Sequence, residues 1–134
     1  MESAAWMVRL GGLHSLAFAL FHLAFWHLFA WKRELALLGP ANRAIMQILN
    51  LRLIYVFLVM GVLSLAFTGE LLAAPLGHAL LAAMALFWVG RTVEQFIYLR
   101  INDWRVHLLT TMFVLGAALY AVPLWQGVSL YISH

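Results

Sequence analysis

Four apolar runs, each long enough to cross a bilayer and separated only by short polar breaks, occupy nearly the whole chain. A spanning helix needs roughly 20 mostly apolar residues. The runs lie at about residues 6–31, 44–68, 76–99 and 104–124; the first has an apolar tail to Leu38 and the last frays toward Tyr131. They are continuous rather than alternating, which excludes a transmembrane β-barrel. Of 134 residues, 66% are hydrophobic and 10% charged, where a soluble domain carries roughly 25% charged. Mean hydropathy is +0.95. A soluble domain, a disordered chain and a nucleic-acid module are thereby excluded. The expected fold is all-α: one transmembrane domain over residues 1–134, a four-helix bundle with spans running alternately up and down. With no cysteine, thiolate metal sites and disulfides are excluded.

The N-terminal run opens on acidic Glu2 and is longer than a signal core, so it is expected to be the first span rather than a cleavable signal. Gly39-Pro40-Ala41-Asn42 marks the end of span 1 and offers Asn42 as an N-cap for span 2. Thr68-Gly69-Glu70 separates spans 2 and 3, and Pro75 suits the first turn of span 3. Asn102-Asp103 is a polar turn before span 4, able to cap it, and Pro123 is expected to kink or fray that helix.

Lys32, Arg33 and Arg43 flank the 1–2 connection, and Arg100 and Arg105 the 3–4 connection; only Arg9 lies at the other end. Cytoplasmic loops carry an excess of such residues. The expected orientation therefore has both connections in the cytoplasm and both termini on the non-cytoplasmic side, in a bacterial inner membrane. Trp26, Trp31 and Trp104 mark one interfacial belt and Trp6 and Trp125 the other, while Trp88 falls near mid-membrane. The pI of 9.8 reflects this edge charge and not nucleic-acid binding. Small residues at Gly11, Gly12, Ser15, Gly61, Ser64, Ala79, Ala83, Gly116, Ala117 and Ala121 permit close helix packing.

Polar groups within spans are energetically costly, so their positions carry the functional information. Arg43, Gln47 and Asn50 share one face of span 2, continued by Phe57, Gly61 and Ser64. Arg91, Glu94 and Gln95 lie together near the end of span 3, and His107, Thr110 and Thr111 near the start of span 4. Span 1 ends with His22 and His27. At 1.5 Å rise per residue, Asn50 lies about 12 Å inside Asn42, and Arg91 about 13 Å inside Arg100. The expected site is a polar pocket near the cytoplasmic leaflet built from Gln47, Asn50, Arg91, Glu94, Gln95 and His107, with His22 or His27. Arg91 and Glu94 admit a second reading, an intrahelical ion pair. Arg52 falls about 180° from Arg43 around the helix and offers an oligomer contact.

His14 and His78 share one depth, and His27 and His107 another, so paired histidines could ligate haem b. Against that, His14 and His27 point about 220° apart on an ideal helix. Glu94, His107 and His22 or His27 are the candidate set for a divalent metal. No HExxH, carboxylate dyad, Ser-His-Asp set or phosphate-binding loop is present. The chain reads as a non-catalytic, accessory or ligand-binding membrane module. Its candidate partners are the lipid bilayer, a homo-oligomer or larger complex, and a lipid, quinone or small-molecule ligand. A transporter, channel or proton-relay component is the alternative.

Overall fold

A computed structural model describes residues 2–134, and among them only helices and connecting segments form. Helix α1 covers Glu2–Leu23, with two single turns after it, α2 (Phe25–Leu28) and α3 (Trp31–Glu34), and a 3₁₀ turn at Leu35–Leu37. Then come α4 (Pro40–Ala66), α5 (Thr68–Ala73), α6 (Pro75–Tyr98) and α7 (Trp104–Ser133). Helices α1, α4, α6 and α7 are each long and apolar enough to cross a membrane. Large apolar side chains, such as Leu20, Tyr55, Leu86 and Ile132, cover their outer faces, the pattern of a bundle whose solvent is lipid.

The first span is shorter than its apolar run. Helix α1 stops at Leu23, and Ala30 takes a left-handed conformation with φ of 50°. That conformation costs a non-glycine residue roughly 1–2 kcal/mol. It turns the chain back so that Trp31 and Leu35 become buried, with Trp31 edge-on to Phe25. Arg43 secures this fold-back, donating hydrogen bonds to the carbonyls of Leu35, Ala36 and Leu38. Its side chain is thus used in building the connection.

The other boundaries have local causes. Pro40 and Pro75 each start a helix, where a missing N–H removes no helical bond. Gly39, rather than the expected Asn42, is the N-cap of α4. Asp103 caps α7 by accepting from the Arg105 N–H at 2.8 Å. Helix α7 continues through Pro123 to Ser133, beyond the end expected for span 4.

Helix α1 packs along α4 and α7, and α7 along α6. Glycines allow the closest crossings. A Cβ on Gly12 would lie 3.2 Å from the Gly61 carbonyl, and one on Gly61 would lie 3.2 Å from the Gly12 carbonyl. Helices α4 and α6 meet instead through side chains, Phe57 against Phe87 and Trp88, and Ser64 against Met84.

These contacts fall in tiers. Ser15, Ser64 and Tyr120 meet in one; Phe18, Phe57, Trp88 and Phe113 in the next; His22 and Asn50 beyond it. Between the tiers, numbers rise along α1 while they fall along α4 and α7. The end holding Lys32, Arg33, Arg43, Arg100 and Arg105 is called the basic end below, and the opposite one the terminal end.

Candidate functional site

The basic end contains a cavity of about 760 Å³ between the four long helices, within the roughly 300–1,000 Å³ of small-molecule sites. Its floor is a row of aromatic rings. Phe57 stacks on Trp88 at 5.6 Å and 15°, and Trp88 on Phe113 at 5.8 Å and 22°. One end of the row carries a cation: the Arg91 guanidinium sits 4.5 Å from the Phe113 ring centre. The other end carries an imidazole: His22 lies 5.0 Å from Phe57 and stacks on Phe25 at 4.3 Å. Phe21, Phe29, Leu53, Phe87 and Leu109 complete the apolar wall, and Asp103, Trp104 and Arg105 stand at the start of α7.

Helical periodicity explains which polar residues reach this cavity. On α6, Trp88, Arg91 and Gln95 follow one face at i, i+3 and i+7, and Glu94 is turned about 100° from Gln95. Gln95 is buried and Glu94 exposed. On α7, Val106, Leu109 and Phe113 form the matching face, which leaves His107 outside it, exposed and bonded at Nε2 to Asn102 Oδ1. Of the residues expected to share a pocket, His22 and Arg91 line the cavity.

Two others brace it from behind. Asn50 is buried and donates to the His22 carbonyl at 3.1 Å, tying α4 to the end of α1. Gln95 donates to the Val106 carbonyl at 3.3 Å, tying α6 to the first turns of α7. Gln47 donates to the Arg43 carbonyl, within its own helix. His27 is exposed on the short α2 turn.

The histidines expected to pair do not meet. His14 Nε2 donates to the Met112 carbonyl at 2.8 Å, and its ring lies edge-on to Trp88, beneath the cavity floor. His78 Nε2 donates to the Leu72 carbonyl at 2.7 Å and lies beside Gly127. His14 packs at Gly116, eleven residues and about 16 Å of helix from Gly127. His27 and His107 are both exposed, and His107 bonds Asn102. Among the described residues, no group of three or more His, Asp or Glu side chains is placed to hold a metal ion.

Arg91 also departs from the ion-pair reading. The one salt bridge among the described residues joins Arg33 and Glu34. Arg91 makes no hydrogen bond there either; its contact is the face of Phe113. On insertion scales a central Arg costs roughly 2.5–3.5 kcal/mol, and a cation–π contact returns about 0.5–2 kcal/mol. Arg91 lines the cavity, and among the described residues its N–H groups meet no acceptor.

The aromatic wall was visible in the sequence only as packing residues. Phe18, Phe21, His22, Phe25 and Phe29 recur at i, i+3, i+4, i+7 and i+11, a helical stripe that marks a shared face. Whether such a face closes on a neighbour or lines a cavity depends on how far apart the helices stand.

Comparison with family models, curated proteins and solved structures gives no match for this chain.

Proposed function

We propose that the protein is a membrane-embedded binding module whose basic-end cavity holds a small, largely apolar molecule with a polar end. The observation that carries this reading is the ring-floored cavity with Arg91 and His22 at the two ends of the ring row and Asp103 and Arg105 at the start of α7. Aromatic and aliphatic walls with a few placed polar groups are the usual construction of a small-molecule site. The excess of Lys and Arg at the same end supports an up-down arrangement with the cavity toward the cytoplasm and both termini outside. A bacterial inner membrane and an accessory role within a larger assembly complete the proposal.

The experiment is native mass spectrometry of detergent-purified protein. The parent should release with a small molecule bound in one-to-one ratio. Leu109→Trp, which fills the cavity, should lose it. Glu94→Gln and His107→Ala, both outside the cavity, should keep it. Identical adducts on the parent and on Leu109→Trp would defeat the cavity reading.

One observation favours haem b as a specific occupant. His22 Nδ1 lies 2.9 Å from the Phe18 carbonyl. A carbonyl only accepts, so in the neutral ring Nδ1 carries the proton and Nε2 keeps its lone pair. Metal-ligating histidines are commonly oriented in this way. On this reading His22 is the single protein ligand. Protein expressed with haem available should then show a Soret band that His22→Ala abolishes, and a colourless parent would end it.

A further inference from the structure

We infer that the occupant is a single-chain amphiphile bearing a carboxylate, that Arg91 holds the carboxylate, and that the molecule enters from the lipid side. The inference rests on the cavity reading above and concerns what fills that cavity.

No carboxylate lies within 4.0 Å of Arg91, and its N–H donors meet no acceptor among the described residues. The guanidinium carbon lies over the Phe113 ring, and the N–H groups have no protein acceptor among the described residues. A guanidinium is a planar fork of N–H groups, which a carboxylate matches with two parallel hydrogen bonds. The one acidic side chain lining the cavity, Asp103, is engaged at 2.8 Å with the Arg105 backbone N–H. Glu94 belongs to the exposed side of α6. Arg105, the second arginine of the lining, is exposed beside Trp104, which leaves Arg91 as the half-buried cation, and one carboxylate would match it.

Leu28, Phe29, Ile101, Trp104 and Leu108 line the cavity and are themselves exposed. Asp103 and the exposed Arg105 stand beside these apolar residues. In a bundle whose outer faces meet lipid, the apolar part of this rim opens to acyl chains, along which a lipid-borne amphiphile slides its tail. The Phe57–Trp88–Phe113 row then lies against the chain while Arg91 takes the head.

The test uses the detergent-solubilised full chain with palmitate, hexadecanol and hexadecyl phosphate, read by native mass spectrometry and thermal unfolding. Palmitate should bind one-to-one and raise the Tm. Arg91→Gln should weaken it about tenfold, the scale of one charge-assisted hydrogen-bonded contact. Arg91→Lys, which keeps the charge without the fork, should fall between, and serves as the test if the Gln variant loses its helical circular dichroism. Hexadecanol should bind weakly and alike to all three proteins.

Equal retention of hexadecanol and palmitate, unchanged in Arg91→Gln but lost in Leu109→Trp, would overturn the carboxylate and leave the cavity standing. Tighter binding of hexadecyl phosphate than palmitate would also overturn it. Palmitate bound equally by Leu109→Trp, or not bound by the parent, would overturn both.

Discussion

The two ends of the bundle bury polar groups in opposite ways. Toward the terminal end, the Tyr120 hydroxyl lies 3.0 Å from Ser15 and 2.9 Å from Ser64. Each serine hydroxyl also meets a carbonyl of its own helix, Gly11 and Met60. Gly11, Gly12 and Gly61 bring the surrounding helices together until almost no space remains. Toward the basic end, large aromatic rings stand where those glycines would be, and they hold the helices apart. Arg91 and His22 there line a cavity and make no hydrogen bond to each other. One half closes polar groups into a hydrogen-bonded knot, and the other leaves a cation open. Polarity inside a membrane bundle thus points to binding where the fold withholds a partner, and to stability where it supplies one.

Breaking the closed half should have the largest effect. Gly12→Leu places a side chain where a Cβ alone would lie 2.9 Å from Leu65 and 3.0 Å from Ser64. Overpacking on this scale costs about 3 kcal/mol, so the midpoint in a detergent-denaturant titration should fall sharply. Tyr120→Phe is the milder test. It removes the hydroxyl joining three helices but leaves each serine its carbonyl, so a loss of about 1 kcal/mol is expected, with palmitate retention unchanged. A change in retention would show that the two halves are coupled.

The smallest stability change belongs to the open half, and its sign sharpens the contrast. Arg91→Met removes a cation that the fold does not fully compensate. Stability should stay within about 1 kcal/mol of the parent or rise, while palmitate retention falls. A loss comparable to Gly12→Leu would mean that Arg91 holds the bundle together, and the contrast between the halves would collapse.

Much of the closed half was legible in the chain. Ser15, Gly61 and Ser64 were readable as small packing residues, and Gly61 and Ser64 continue the buried stripe of α4 that Asn50 and Phe57 begin in the open half. The site was legible only in part. Depth placed Arg91, Glu94, Gln95 and His107 at overlapping levels, but rotation separates them. Gln95 turns inward and Glu94 outward, and Val106 turns inward where His107 does not. The left-handed Ala30 carried no sequence signal, since glycine or asparagine is the usual residue there.

Length and apolar continuity by themselves determined four membrane-length helices and their approximate ends, because lipid forces every backbone polar group to be satisfied within a helix. Tertiary structure alone decided which face each helix turns to its neighbours, and how far apart the neighbours stand. Rotation about a helix axis moves no residue in depth, so depth arithmetic is blind to it. Helix separation follows from the pairing of side chains across crossings, glycine against glycine at Gly12 and Gly61 and ring against ring at Phe57, Trp88 and Phe113. That pairing, rather than the polar residues, made a cavity at one end and none between the hydroxyls at the other.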